Sequence, residues 1–148
     1  MFLTRRNFLT GALAAAAVVL AAMPGARADP DGVAMMGYDA VAYFHQAKAV
    51  PGAGNISLRW RGLLWHFASV ENRAAFEADP RAYAPQFGGL CPLALRRGDI
   101  VAGDPRNWII HAGKLYLSSS PEGLERLRHN GGAIIPEAAT EFRTLKAR

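Results

Sequence analysis

The sequence predicts a single small α+β domain in which a small antiparallel sheet, formed by two hairpins, packs with short helices. Residues 56–61 alternate apolar with polar side chains before Gly62 and a second strand, and residues 108–117 form two strand-like runs around Ala112-Gly113, patterns typical of β-hairpins. Short segments that begin with helix-capping residues lie before, between and after them. The chain has no regular alternation of strands with long helices, so a parallel sheet is not expected.

The first 28 residues have the features of an export signal. Arg5 and Arg6 precede a mildly apolar run over residues 11–22, and Ala26-Arg27-Ala28 has the small-x-small form of a signal-peptidase site. This segment resembles a twin-arginine (Tat) signal, which implies that the Tat translocase exports the folded protein and that the mature protein is periplasmic. The apolar run is shorter than the roughly 20 residues that span a membrane, so the mature chain is expected to have no stable membrane span.

The mature chain has the size of one domain. Removal of 28 of the 148 residues leaves 120, residues 29–148, with a predicted core over about residues 37–130. Three of the 17 basic residues and none of the 12 acidic residues lie in the signal, so the mature net charge is +2. This small charge does not indicate a nucleic-acid partner.

The first hairpin follows a short helix. Asp39 is predicted to cap that helix, over residues 40–46, because its side-chain oxygens suit the free N–H groups of a first turn. Residues 50–55, rich in proline and glycine, are predicted to form a loop. Two strands, residues 56–61 and 63–68, then pair across a glycine, with the apolar residues of the first strand on its buried face.

Two capping signals organise the middle of the chain. Ser69 is predicted to cap a helix that runs to about Ala78. Asp79-Pro80 then ends this helix and begins a further turn, because proline suits the first helical position. These short helices are expected to pack against the first hairpin.

The last third of the chain repeats these signals. Asp104-Pro105 is predicted to begin a helical turn, as Asp79-Pro80 does, just before a hairpin that turns at Ala112-Gly113. Ser120 is predicted to cap a final helix that runs to about His129, and Gly131-Gly132 is predicted to end it.

Cys91 is the single cysteine of the chain, so it cannot form an internal disulfide. Pro92 suits the first position of a helix and Gly98 suits its end, which makes Cys91 the predicted N-cap. The positive end of a helix lowers the pKa of a thiol and favours the thiolate, which binds metals and attacks electrophiles. Gly88 and Gly89 leave room for a ligand to approach. The alternative is that Cys91 is a small buried hydrophobic residue.

Three stretches of the chain resemble YHS-domain proteins, and in particular the small exported branch that carries Tat signals. These are "GYDAVAYF" at residues 37–44, "WRGLLWHFASVENRAAFEADPRAYAPQFGGLC" at residues 60–91, and "GDPRNWIIHAGKLYL" at residues 103–117. The resemblance implies a probable metal-binding domain. The positions that match the family's motif are Tyr38, Asp39, Trp65, Phe67, Asn72, Phe76, Tyr83, Gly88, Gly89 and Cys91. Leu90 and Pro92 depart from the pattern beside the thiol.

A soft or borderline metal ion, of the copper or zinc class, would use sulfur and imidazole donors. Cys91, His66 and His111 are the candidate ligands, and the two histidines share a face only if both hairpins belong to one sheet. Each histidine is also compatible with an ordinary position on a sheet surface. Tyr38 and Asp39 are candidate polar site residues, with the alternative that Asp39 is a helix cap and that Tyr38 packs in the structure.

Other sulfur and aromatic residues have simpler interpretations. Met35 and Met36 lie in a lead-in segment that either folds over a site or has no role. His45 and His129 fall near predicted helix ends, where their charge suits the helix dipole. The large aromatic residues at strand or helix spacing are predicted to form the core: Trp60, Trp65, Phe67, Phe76, Tyr83 and Trp108.

These observations leave three functional hypotheses. The first is an exported binding protein that holds a metal ion through the Cys91 thiolate, at a site completed by an unknown periplasmic protein or a second copy. The second is a protein-interaction or accessory domain in which the cysteine is structural. The third is a thiol-based redox enzyme, which is weaker because the chain lacks a Cys-x-x-Cys motif, a phosphate-binding loop and a nucleophile elbow.

Overall fold

A computed structural model describes residues 32–148, so the predicted export signal lies outside the described residues. The fold class is α+β, as predicted, with two antiparallel two-stranded sheets, each a hairpin, and five helices in the described part. The strands are β1 (Ala53–Trp60), β2 (Leu63–Phe67), β3 (Asp104–His111) and β4 (Lys114–Ser118). The helices are α1 (Ala42–His45), α2 (Val70–Ala78), α3 (Pro80–Tyr83), α4 (Pro92–Leu95) and α5 (Pro121–Lys146). Two 3-10 turns, Ala34–Gly37 and Gln86–Gly89, complete the elements.

The hairpin of β1 and β2 has the predicted buried face. Ile56, Leu58 and Trp60 pack against a cluster of buried residues around Phe67 and Phe76, here called the Phe76 cluster. The predicted loop over residues 50–55 is wrong at its end, because β1 begins at Ala53. Ala53 pairs with Phe67, and the register of β1 against β2 shifts between Ala53 and Ser57, as at a β-bulge. The strand therefore continues through the glycine-rich segment.

The hairpin of β3 and β4 also begins earlier than the sequence predicted. Asp104 lies in β3 opposite Ser118, so the prediction that Asp104-Pro105 starts a helical turn is wrong. The Asp104 carboxylate accepts hydrogen bonds from the backbone N–H and the guanidinium of Arg106, at 2.9 and 2.7 Å. These bonds lower the pKa of Asp104 below its ordinary value. Pairing with β4 therefore decides the conformation at this Asp-Pro pair.

The second hairpin is covered on both faces. Residues 115–117 of β4 are all buried. Trp108 and Ile110 of β3 pack toward Tyr43 of α1, in a group that we call the Tyr43 cluster. Ile109 packs on the other side against Cys91 and residues of α4 and α5, here called the Cys91 cluster. This hairpin is therefore the central layer of the domain, between α1 and the pair formed by α4 and α5.

Helix α5 is longer than the sequence predicted. It does not end near His129 but continues to Lys146, with a kink at Asn130 where φ is −126° and ψ is 18°. Ile134 and Ala138, one turn apart, are buried in its second half, so packing carries the helix past its two glycines. The core consequently extends beyond residue 130. Neither α5 nor any other described helix is long and apolar enough to cross a membrane.

Three predicted helix caps are confirmed. The side chains of Ser69, Asp79 and Ser120 each accept a hydrogen bond from the backbone N–H three residues later, at 3.0 to 3.2 Å. These residues begin α2, α3 and α5. The predicted core aromatics are also packed: Trp65, Phe67 and Phe76 are buried, and Trp60, Tyr83 and Trp108 are half-buried.

Candidate functional site

Cys91 occupies the predicted N-cap of α4, but it is only 1% exposed and α4 has a single turn. Its Sγ lies 3.9 Å from Oγ of Ser118, and its side chain belongs to the Cys91 cluster. Burial raises the pKa of the thiol, whereas hydrogen bonds from Ser119 and from the backbone of Ala94 and Leu93 lower it, and the net shift is downward. The predicted thiolate preference is supported by this balance, although the sulfur is shielded from solvent.

The histidines predicted as metal ligands lie on different sheets. His66 pairs with Ser57 in the first hairpin and His111 pairs with Lys114 in the second, and the two hairpins do not share a sheet. The His66 ring lies against Gly37 and Gly54, whereas the His111 ring lies against the α5 backbone. The two histidines would share a face only if both hairpins formed one sheet, and they do not.

The residues around Cys91 do not by themselves fit a metal centre within the part of the chain that the structure describes. In residues 32–148 no group of three or more His, Cys, Asp or Glu side chains is placed to hold a metal ion. The immediate neighbours of Cys91 are a serine hydroxyl and apolar side chains, whereas a structural zinc site needs four nitrogen, oxygen or sulfur ligands. The thiol supplies one soft donor, and no histidine, methionine or second cysteine belongs to the Cys91 cluster among the described residues.

Asp39 is fully buried and forms a structural junction. Its Oδ1 accepts hydrogen bonds from the backbone N–H groups of Val41 and Ala42, at 2.8 and 3.3 Å. Its Oδ2 accepts from the backbone N–H of Ala68 and from the side-chain amide of Asn72, at 2.8 and 2.7 Å. The cap interpretation of Asp39 is thus correct in substance, although the helix begins at Ala42 rather than residue 40. With four donors satisfied, this carboxylate is committed to the fold.

A pocket of about 360 Å³ opens between the two hairpins. Its walls come from the 3-10 turn at residues 34–37, the turn between β1 and β2, the loop after α3, and β4. It is lined by Val33, Ala34, Met35, Met36, Trp60, Arg61, Leu63, Trp65, Ala84, Pro85, Gly88, Gly89, Ala102, Gly103 and Leu117. Gly88 and Gly89, predicted as site residues, are in this wall, whereas Tyr38, Asp39, His66 and His111 are not.

Two tryptophans form one rigid wall of the pocket. The Trp60 and Trp65 ring centroids lie 5.6 Å apart at an interplanar angle of 64°. The indole Nε1–H of Trp65 donates to the carbonyl of Trp60 at 3.1 Å, which fixes the ring orientation. The guanidinium of Arg61 lies 4.6 Å above the Trp60 ring, at the turn of the hairpin. This wall is therefore preorganised.

The opposite wall requires glycine. The backbone N–H of Gly103 donates to the carbonyl of Gly89 at 2.8 Å, which joins the loop after α3 to the segment before β3. A Cβ on Gly103 would lie 2.4 Å from the Cβ of Leu117, so only glycine fits there. Phe87 and Gly88 adopt left-handed conformations, with φ of 57° and 65°, at the rim.

Met35 and Met36 form the third side of this pocket, which Cys91 does not line. Both are in the left-handed region at φ of 51°, a conformation that costs non-glycine residues on the order of 1–3 kcal/mol. Met35 packs against both the Phe76 cluster and the Tyr43 cluster. Met36 remains 71% exposed. The sequence carried no signal for this conformation beyond the glycine at position 37.

A second, smaller pocket of about 220 Å³ lies over Cys91. It is bordered by the arginines Arg97 and Arg126 and by Glu122, near the start of α5.

Comparison of the chain with family models, with curated proteins and with solved structures finds no match. The resemblance to YHS domains therefore stays a prediction from the sequence motifs.

Proposed function

We propose that the protein is an exported binding domain of the YHS type, that its ligand site is the pocket between the hairpins, and that Cys91 is structural. The observation that carries this proposal is the preformed apolar pocket. Its volume of about 360 Å³ falls within the range of roughly 300–1,000 Å³ that small-molecule sites occupy. Its rigid indole wall and few polar groups are also typical of such sites.

Exposed apolar side chains gather at this pocket. Val33, Met36 and Leu63 are 44%, 71% and 40% exposed, and all three line it. Covering apolar surface contributes about 25 cal/mol per Å², so a ligand that contacts these side chains gains affinity from their burial. Contiguous exposed apolar surface of this kind marks interaction sites more often than isolated residues do.

A structural role for Cys91 agrees with its contacts. Its backbone N–H donates to the carbonyl of Val101 at 2.8 Å, and its carbonyl accepts from the N–H of Leu95 at 3.0 Å. Its side chain packs with Leu127 and Ile134 of α5. A cysteine with this environment behaves as a small hydrophobic residue that joins α4 to α5.

A second candidate function is the binding of a copper- or zinc-class ion by the Cys91 thiolate, completed by ligands from a partner protein. The downward pKa shift of the thiol favours it, because the thiolate is the metal-binding form. The burial of Cys91 and the lack of nearby donors in residues 32–148 oppose it.

The proposed site is tested with N-phenyl-1-naphthylamine, a neutral apolar dye that fluoresces when it is bound in an apolar pocket. We expect the mature protein to bind the dye, and Leu63→Ala to weaken binding by about tenfold because part of the apolar wall is lost. The matched control is Ile100→Ala, since Ile100 is 69% exposed and does not line this pocket. Circular dichroism checks that each variant is folded. No dye binding, or equal affinity in both variants, would contradict the proposal.

A further inference from the structure

The pocket between the hairpins contains one charged side chain among its described lining residues, that of Arg61. We infer, resting on the proposed function, that the pocket takes an amphiphilic monoanion, a mainly apolar molecule with one carboxylate or sulfonate group, and that Arg61 binds this group.

Arg61 is held in position by its own hairpin. It lies at the turn between β1 and β2 with φ of 50°, followed by Gly62 at φ of 77°, as in tight hairpin turns. The guanidinium carbon of Arg61 lies 4.6 Å from the centre of the Trp60 ring, over its face. This contact with the π system uses no hydrogen-bond acceptor, and the planar guanidinium has N–H donors whose spacing matches the two oxygens of a carboxylate.

Arg61 has no carboxylate partner among the described residues, unlike several other arginines of the chain. Arg96, Arg97, Arg106 and Arg128 each form a salt bridge with an aspartate or glutamate. Arg61 forms neither a salt bridge nor a hydrogen bond within residues 32–148; its contact there is the Trp60 ring. The charge at the pocket is therefore available to an external anion.

Two donors of the wall are already used within the fold. The indole N–H of Trp65 is bonded to the Trp60 carbonyl, and the N–H of Gly103 is bonded to the Gly89 carbonyl. A polar neutral ligand would find few donors, and a cationic ligand would be repelled by Arg61. A ligand with several phosphates would need more than one cation. A ligand with an apolar body and one negative group matches the apolar wall and the single guanidinium of this pocket.

The test compares two dyes with the same ring system. 1-Anilinonaphthalene-8-sulfonate carries one sulfonate, and N-phenyl-1-naphthylamine lacks it. We expect Arg61→Asn to weaken sulfonate-dye binding on the order of tenfold and to leave neutral-dye binding within about twofold. Asparagine tolerates the left-handed conformation at this turn better than most residues, so this variant is expected to keep the hairpin.

A variant outside the pocket and a change in salt concentration serve as controls. Lys114→Asn removes one positive charge from the turn region of the other hairpin, outside the pocket, and is expected to leave both dyes unaffected. Raising salt to about 1 M, where the Debye length is about 3 Å, should weaken the sulfonate dye alone.

Each outcome decides between the two proposals. If the neutral dye binds in a manner that depends on Leu63, but the sulfonate dye shows no dependence on Arg61, the anion inference is wrong and the pocket stands as a ligand site. If Arg61→Asn weakens both dyes equally, Arg61 is only part of the wall and the inference is also wrong. If neither dye binds, both proposals fail.

Discussion

The side-chain amide of Asn72 donates a 2.7 Å hydrogen bond to the carboxylate of Asp39, across 33 residues of chain. Both side chains are buried. The same carboxylate caps the first turn of α1 and accepts from the backbone at Ala68, which follows β2. The hydrogen bonds of the Asp39 carboxylate thus connect the start of α1, the end of the first hairpin and the first turn of α2. Buried carboxylates are tolerated when their oxygens are satisfied in this way.

Replacement of Asp39 should be among the most damaging changes in the domain. Asp39→Ala leaves four donors without their acceptor, and we expect a loss of roughly 3 kcal/mol or more in the free energy of unfolding. Asp79→Ala is the matched control, because Asp79 also caps a helix but is exposed, and its loss should be about 1 kcal/mol. Urea denaturation followed by tryptophan fluorescence measures both. Similar losses would show that the junction at Asp39 is unimportant.

The hydroxyl of Tyr43 is expected to contribute stability that depends on pH. It donates to the carbonyl of Pro105 at 2.8 Å, and burial raises the pKa of Tyr43 above its ordinary value of about 10. Tyr43→Phe should therefore lower the free energy of unfolding by about 1–2 kcal/mol at pH 7.

The sign of the pH effect follows from the raised pKa. Above pH 10 the unfolded tyrosine loses a proton that the folded one keeps, so the parent loses stability there and Tyr43→Phe does not. The difference between the two proteins should narrow as pH rises from about 10 to 11. Tyr116, whose pKa burial also raises, is present in both proteins and does not affect the difference. A difference that stays constant with pH would contradict this account.

The Cys91 thiol should be protected in the folded protein. Ellman's reagent should react with the native thiol at least about a hundredfold more slowly than with the urea-unfolded chain, because the sulfur is buried and reacts only after local opening.

A competition titration with Cu(I) and Zn(II) should give the same result for the parent and for Cys91→Ser. One tightly bound equivalent that disappears in Cys91→Ser would instead restore the metal hypothesis.

Two glycines should respond to alanine with opposite signs. Gly103→Ala places a Cβ 2.4 Å from the Leu117 Cβ and 2.8 Å from its backbone carbon, so we expect a loss of about 2–3 kcal/mol. Gly132→Ala, in α5, meets no atom within 4 Å and should gain about 0.5–1 kcal/mol through helix propensity. Thermal unfolding of the two variants measures the shifts. A neutral Gly103→Ala would show that the loop beside β4 is free to move.

The second half of α5 should contribute to the core. Ile134 is 3% exposed and packs in the Cys91 cluster, so Ile134→Ala is expected to cost about 3 kcal/mol. Ile100→Ala, at a site 69% exposed, should cost less than about 0.5 kcal/mol. Equal costs in urea denaturation would mean that α5 does not pack beyond its kink.

The hairpins and helix caps could be predicted because their signals are local. A glycine between two strand-like runs marks each hairpin turn, and Ser69 and Ser120 mark helix starts that the structure confirms. The errors arose where one local signal has two outcomes. Asp79-Pro80 begins a helical turn, whereas Asp104-Pro105 lies in a strand because β4 pairs with it. Gly131-Gly132 has the composition of a helix end, but burial of the following isoleucine keeps the helix intact.

The site was less accessible to prediction. Gly88 and Gly89 are candidate site residues in the sequence because glycine pairs permit close approach of a ligand, and both line the pocket between the hairpins. The pocket as a whole joins residues from position 33 to position 117, and only tertiary packing brings them together. The left-handed conformation at Met35 and Met36 could not be predicted, because methionine rarely adopts it and no sequence pattern marks it. Arg61 was assigned simply to the polar face of its strand.

The separation of the two hairpins into independent sheets has a consequence for how the chain folds. Each hairpin closes through two residues, Arg61-Gly62 and Ala112-Gly113, and within residues 32–148 the strands of one hairpin do not pair with those of the other. Such hairpins form in about 1–10 μs, and neither needs the other as a template. The slow event should then be the docking of two preformed units, which Met35 joins through contacts with both the Phe76 and Tyr43 clusters. The pocket between the hairpins, which lies at that junction, would be the last part of the molecule to take shape.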